Sequence, residues 1–258
     1  MREPGRDQVA VSVLFPAHNE AGKLEAAVEQ TKRAITAVTP SYELVIAEDG
    51  STDGSAELAR AIAADDPFVR HMHSDARLGR GKALNRAFKA ARGEVIMFMD
   101  VDLSTDLAYL KPLISAIRDE HYDLAIGSRL LRASETKRSL KRSVLSTVYN
   151  FLVRLILHSK LRDHQCGFKA FRRTSLLHLL DEIQDEHWFW DTELLVRAQR
   201  KGYRIKELPV HWEDKGAANT KVKAVSDSAV LFSSIIRLYF SLRRKKDGDI
   251  MIDRQTER

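Results

Sequence analysis

The sequence predicts an α/β protein in which helices cover both faces of a mainly parallel sheet. Short β-branched runs alternate with stretches of helical apolar spacing, each early run is followed within a few residues by its helix, and 258 residues leave room for one large domain of this kind. Val9 to Phe15 (VAVSVLF) reads as a buried strand followed by a helix over Gly22 to Val38. Tyr42 to Ala47 (YELVIA) is a second, followed by a helix over Ser55 to Ala64. Strands recur at Val69 to His73, Glu94 to Met99 and Asp123 to Ile126, with helices over Gly79 to Ala91 and Leu107 to Asp119 between them. Ligands of such sheets bind at the carboxyl ends of the strands, so chemistry is to be sought just beyond each strand.

The rhythm changes after about residue 128. Lys137, Arg138, Lys141 and Arg142 lead into Val144 to Leu157, a long apolar helical stretch broken by Ser146, Thr147, Asn150 and Arg154. Gly167 to Trp212 reads as a short strand, two helices and a last strand near Tyr203 to Val210. A final helix is expected from Val222 to about Leu242, where Val225, Ala229, Phe232, Ile236 and Tyr239 step by four and three, and Arg243, Arg244, Lys245 and Lys246 follow it. The expected organisation is one domain over residues 1–230 with an amphipathic, basic tail over 231–258.

Composition narrows the function classes. With 44% hydrophobic and 30% charged residues, the chain is neither a disordered polyampholyte nor an integral membrane protein. No run approaches the roughly 18 apolar residues of a membrane span. The net charge of +6 permits an acidic partner without selecting one. Cys166 is the single cysteine, which excludes an intrachain disulfide and a cysteine-cluster metal site, and it reads as a buried, inert thiol. Met1 to Gln8 is charged and lacks an apolar core, so it does not read as a secretory signal. The expected setting is the cytosol, held at a membrane surface.

The strongest local feature is Met99-Asp100-Val101-Asp102, where an apolar strand ends in two carboxylates. Such a pair repels itself unless a divalent cation lies beside it, and Mg²⁺ or Mn²⁺ uses one or two carboxylates together with substrate phosphate oxygens. Ser104 can add an oxygen. The same pattern also serves as a strand end followed by a helix cap at Asp102 or Ser104. Pro16-Ala17-His18-Asn19-Glu20 suits a polar loop that recognises a base or ribose, and equally a helix start capped by Asn19. Glu48 to Gly54 (EDGSTDG) offers carboxylates to the same kind of ligand, with capping by Ser51 or Asp53 as the plainer use. Gly79-Arg80-Gly81-Lys82 is not a phosphate loop, because Ala76 and Ala83 stand where a glycine and a hydroxyl residue are required, and Lys82 reads as a solvated helix start. Arg129, after the fifth strand, offers a planar fork for phosphate or a surface ion pair. In His187 to Glu193 (HWFWDTE), Asp191 and Glu193 either approach the cleft or cap a helix behind an aromatic plug.

Taken in order and spacing, VSVLFPAHNE, VIAEDGSTDGS, FMDVDLS and IGSR resemble the family 2 glycosyltransferases, whose fold is the Rossmann-like GT-A fold. More narrowly, DHQCGFK at 163–169, FWDTELL at 189–195 and Leu208-Pro209-Val210 are similar to dolichyl- and polyprenyl-phosphate sugar transferases, nearest to the dolichyl-phosphate β-glucosyltransferase type. The resemblance covers roughly residues 9 to 230. It implies that Pro16, His18, Glu20, Ala47 and Asp49 hold the nucleoside, that Asp100, Val101 and Asp102 lie along the diphosphate, and that Asp102 is the foremost metal ligand. Asp100 and Ser104 complete the implied ligand set, Ser104 standing where relatives often carry glutamine. Arg129, Lys215 and Lys221 match basic positions that close over the diphosphate or the acceptor phosphate.

The implied reaction is inverting transfer of a hexose, glucose or mannose, from UDP-glucose or GDP-mannose to a dolichyl or polyprenyl phosphate, with Mg²⁺ or Mn²⁺ as cofactor. The enzyme would be peripheral at the cytoplasmic face of a membrane, with the apolar helices in the interface or on a homo-oligomer face, and would not need nucleic acid as a partner. A saccharide hydroxyl is the alternative acceptor and requires a base, for which Asp191 is the candidate. A non-catalytic nucleotide-sugar-binding scaffold is a third reading, against which the intact aspartate pair argues.

Overall fold

A computed structural model of the chain describes residues 9–215 and 230–243. The first half is a run of strand and helix pairs: β1 (Val11–Ala17), α1 (Ala21–Thr36), β2 (Tyr42–Glu48), α2 (Ser55–Asp65), β3 (Val69–Met72), α3 (Arg80–Ala90), β4 (Val95–Met99), α4 (Leu110–Arg118) and β5 (Leu124–Ser128). The second half holds β6 (Glu135–Lys137), α5 (Leu140–Leu157), β7 (Phe168–Arg172), α6 (Arg173–Leu180), α7 (Trp190–Arg200), β8 (Ile205–Pro209), β9 (His211–Glu213) and a last helix, α8, over 230–243.

The main sheet runs β3-β2-β1-β4-β7-β5-β8. Its pairs are parallel except those made by β7, which runs antiparallel between β4 and β5. The strand order reverses between β1 and β4, and a sheet of this kind opens its ligand crevice there, beyond the carboxyl ends of the strands. Every residue of β2 is buried, as expected of a strand with helices on both sides. Leu24, Val28 and Ile35 of α1 pack with Leu113, Ile114 and Ile117 of α4 on one face; Leu84 and Phe88 of α3 pack with Leu176 and Leu179 of α6 and Leu194 and Leu195 of α7 on the other.

Two boundaries shift, and one strand pair is added, in ways that matter for function. β1 runs on to Ala17, so Pro16 sits in the strand rather than in a loop. Ala17 O accepts from Asp49 N on the β2 side, which turns the neighbouring Pro16 nitrogen toward β4, where pairing has ended at Leu14, and the missing N–H breaks no ladder bond. β5 extends to Ser128, so Arg129 follows it directly. β6 and β9, absent from the sequence reading, form a separate parallel pair, and Trp212 in β9 also bridges Thr105 in the loop after β4. That ribbon ties the Asp100–Asp102 loop to the start of α5.

α5 begins at Leu140, earlier than its apolar pattern suggests, and Ser139 Oγ caps it by accepting from Arg142 N. Asn150 is the buried polar residue on this helix. Its Oδ1 accepts from His164 N at 2.9 Å and contacts His164 Nδ1 at 2.8 Å, so a polar side chain interrupts the apolar stripe in order to hold the 159–165 loop. Burial holds the His164 imidazole down at about 4, hence neutral. Ile235, Leu238 and Leu242 of α8 pack with Val153 and Leu157 of α5 and Val196 of α7, so this part of the segment read as a tail is joined to the domain by apolar packing. The expected helical residues 222–229 lie outside the described residues.

Candidate active site

Pro16, His18, Glu20, Asp49, Asp100, Val101 and Asp102 line one cleft of about 230 Å³ at the carboxyl ends of β1, β2 and β4. Ala47 is buried in the core below β2's end and does not line it. Lys215 borders shallow grooves that share Leu103 with the Asp102 loop, and Lys221 lies outside the described residues.

The two acidic loops interlock. Asn19 is in the left-handed region (φ 53°), and its Oδ1 accepts from Thr52 N at 2.8 Å instead of capping α1; Asp53 Oδ2 takes the first α1 amide, Ala21 N, at 3.1 Å. His18 Nδ1 lies 2.8 Å from Asp49 O. The Asp49 carboxylate accepts from Leu78 N at 2.7 Å and Gly79 N at 3.0 Å, which folds the loop before α3 over the cleft. Gly50, at φ +61°, lies so close to that loop that a Cβ would come within 2.6 Å of Arg77 N.

This folding brings in cations that the sequence reading passed over. Arg77 is exposed on the cleft wall with no ion-pair partner among the described residues. Arg80 reaches between two carboxylates: Nη2 donates to Asp100 Oδ1 at 3.0 Å, and Nη1 donates to Asp191 Oδ2. Its guanidinium also stacks on Phe98 and on Trp188, an exposed indole at the cleft rim. The G-R-G pattern fails as a phosphate loop but has a packing reason, since a Cβ on Gly81 would come within 2.8 Å of Trp190.

Lys169 is fully buried, and its Nζ donates to Asp191 Oδ1 at 2.7 Å and to Cys166 O at 2.6 Å. Asp191 therefore has a cation on each oxygen. Burial opposes its ionisation, but Lys169 and Arg80 outweigh burial and hold the carboxyl below its ordinary range, which makes it a poor base. Asp100 is pushed the other way. Its side chain keeps 48% of its surface accessible, yet crowding by the protein disfavours the charge, Asp102 and Asp191 add repulsion, and Arg80 offsets only part. Glu193 pairs with Arg197 and accepts from Gln184 N and Asp185 N, a structural use. Burial pushes the Cys166 thiol up to about 11, in keeping with an inert cysteine.

The residues after β4 fit a hard dication. Asp100, Asp102 and Ser104 border one small cavity, and Ser104 Oγ is a buried oxygen with no hydrogen-bond partner among the described residues. An all-oxygen donor set of two carboxylates and a hydroxyl suits Mg²⁺ or Mn²⁺. Gly167 is required beside it, because a Cβ there would lie 1.9 Å from Asp100 Oδ2.

Arg129 does not line this cleft. Its Nε and Nη2 form a fork on Asp163 at 2.7 and 2.9 Å, its backbone N donates to the same carboxylate at 3.0 Å, and its guanidinium stacks on Trp212. Trp212 does line the cleft, so Arg129 stands behind the wall.

Comparison with known proteins bears on the family and the fold. The chain is 49% identical over 236 residues to the glycosyltransferase AglD of Haloferax volcanii, in an alignment covering 91% of this chain but only 38% of that protein. It is 28% identical over 264 residues to the dolichyl-phosphate β-glucosyltransferase of Saccharomyces cerevisiae, covering 94% of this chain and 78% of that one. Among solved structures it is similar to the mannosyltransferase PcManGT from Pyrobaculum calidifontis in complex with GDP-Man and Mn²⁺, with a TM-score of 0.60, 19% identity and coverage of 92% and 65%, a likeness that shows the GT-A fold. The family model of glycosyl transferase family 2 matches residues 12–180, and the chain belongs to that family.

Proposed function

We propose that this protein transfers a hexose, glucose or mannose, from a nucleotide sugar to a dolichyl or polyprenyl phosphate with inversion, as a peripheral enzyme at the cytoplasmic face of a membrane. The observation that carries this reading is the single cleft in which Asp100 and Asp102 face the His18 and Asp49 side of the sheet. In this reading His18, Glu20 and Asp49 border the nucleoside, and Arg77, which has no ion-pair partner among the described residues, offers its charge to the diphosphate. Asp102, with Asp100 and Ser104, would hold Mg²⁺ or Mn²⁺, which supplies charge neutralisation for the leaving nucleoside diphosphate. The acceptor phosphate oxygen forms the new bond to the anomeric carbon from the opposite face while the bond to the diphosphate breaks. The diphosphate leaves with the electron pair.

The state of Asp191 supports a phosphate acceptor. A phosphate monoester, with its second pKa near 6, is largely ionised at neutral pH and needs no base. A hydroxyl acceptor needs one, and Asp191 is neutralised by Lys169 and Arg80. The name of the yeast relative supports the lipid class. The test is transfer by the purified protein with UDP-glucose and GDP-mannose, Mg²⁺ or Mn²⁺, and a short polyprenyl phosphate, read by product mass. A glycosyl-phosphoryl-lipid product is expected; transfer only to saccharide hydroxyls would overturn the reading.

The membrane part rests on α5. Leu140, Val144, Val148, Phe151 and Leu155 are exposed at steps of four, four, three and four, which lines them up on one face. Val230, Phe232 and Phe240 are exposed on α8. Lys137 and Lys141 are exposed at the start of α5 and Arg243 at the end of α8, so charge beside apolar surface suits an anionic interface, while Arg142 turns to Asp214 in the cleft wall. No helix among the described residues is long and apolar enough to cross a membrane. Partition to anionic vesicles should be salt-sensitive, and replacing Phe151 and Leu155 together by Ser should weaken it roughly tenfold. Equal cosedimentation of wild type and variant would remove α5 from this role, and a variant that instead turns a dimer into a monomer would assign the stripe to self-association.

A further inference from the structure

Behind the cleft, on the β2–β3 side of the sheet, lies a cluster that the transfer reaction does not use. Ile46 pairs with His71 and Ala47 with Met72 in the β2–β3 register, so the next residues along, Glu48 and His73, stand side by side. His71 and His73, two apart in an extended chain, point to the same face. One ring nitrogen of each histidine and one carboxylate oxygen of Glu48 lie within 4.8 Å of one another.

We propose that Glu48, His71 and His73 form a second metal site, which takes Zn²⁺ or a similar borderline transition-metal ion. Three features favour a ligand set over an ordinary charge cluster. The Glu48 carboxylate is fully buried, with Oε1 accepting from Ser51 N and Oε2 meeting His73 Nδ1. His71 Nε2 is buried with no hydrogen-bond partner among the described residues, so a nitrogen able to donate a lone pair has been taken out of water without compensation from them. His73 lies between two carboxylates, Glu48 on the Nδ1 side and Asp75 Oδ1 at 3.1 Å from Nε2, so an ion taken up between Nδ1 and Glu48 would replace that contact while Asp75 held the Nε2–H in the manner of metal-bound histidines. Two imidazoles and one carboxylate form an open three-ligand set that suits Zn²⁺, whereas Mg²⁺ prefers the oxygen-only site after β4.

An ion here would clasp β2 to β3. Glu48 also anchors Ser51, and its neighbour Asp49 lines the cleft and holds the loop before α3, so the clasp would brace the donor-side wall from behind.

The test uses the full chain, stripped of metal by a chelator and titrated with Zn²⁺ in excess Mg²⁺, read by calorimetry and by thermal melting. One bound equivalent and a raised melting temperature are expected. Both should be lost in His73→Gln, whose partly exposed side chain can be replaced without disturbing the core, and in His71→Gln wherever that variant keeps its circular dichroism. Asp75→Asn should weaken binding by roughly 10- to 100-fold, and Asp102→Asn should leave Zn²⁺ binding unchanged. The proposal is overturned if no stoichiometric Zn²⁺ binds, or if binding and the melting shift survive in His73→Gln, which would place the ion on other histidines.

Discussion

Asp102→Ala is expected to lower turnover by roughly 10² to 10³ or more while leaving the melting temperature close to that of the wild type. The two carboxylates after β4 differ in how much of their bonding capacity the protein has already taken. Asp100 is engaged by Arg80 and packed against Gly167, so its removal would also release a cation from the charge cluster that includes Asp191. Asp102 lines the cleft, is only partly buried, and has Ser104 N at 3.0 Å as its hydrogen-bond partner. Losing that bond costs about 1 kcal/mol, too little to unfold a domain of this size. The measurement is steady-state transfer with and without divalent cation, beside a thermal melt. Turnover within a few-fold of wild type with unchanged metal dependence would remove Asp102 from the proposed role.

The alternation of strands and helices, and the placing of the paired carboxylates at a strand end, were legible because both rest on local chemistry, whereas the strand order and the antiparallel β7 were not. A run such as VIMFM followed by D-V-D needs no tertiary information to mark a buried strand ending in charge, and the rule that ligands sit at strand ends turns that mark into a position. What was not legible depends on long-range pairing. Nothing near Arg80 in sequence reveals that Asp100 and Asp191 meet it, and Arg129 gives no local sign of Asp163, 34 residues away. Asp191 shows the cost of reading a residue alone. As a carboxylate before a helix it is a candidate base, but Lys169 and Arg80 occupy it, and Asp191→Asn would leave a fully buried lysine short of its counter-charge. That substitution tests stability before it tests acceptor chemistry. The β6–β9 ribbon escaped for a simpler reason: three-residue strands with polar side chains carry no periodic signal.

Arg129→Ala is expected to act mainly on stability, lowering it by about 3 to 5 kcal/mol, or roughly 10 °C in melting temperature. Asp163 is completely buried and receives four hydrogen bonds, three from Arg129 and one from Gln165 N, so removing the guanidinium strands a carboxylate in the interior. Burial alone would raise the Asp163 pKa; Arg129 outweighs it and holds the group well below the ordinary carboxylate range. The sign follows: the pair's contribution is intact above about pH 4 and is lost only as pH falls below the ordinary carboxylate range toward the depressed value. Asp163→Asn should cost a similar amount, and the double replacement Arg129→Met with Asp163→Leu should cost less than the sum of the two single changes, because neither charge is then left alone. The sequence reading gives Arg129 a different part, facing the diphosphate, and the same variants separate the two. If Arg129→Ala keeps the wild-type melting temperature yet loses turnover, the guanidinium works on the substrate; if turnover falls only as the melting temperature falls, it works by holding Trp212 and the wall of the cleft in place.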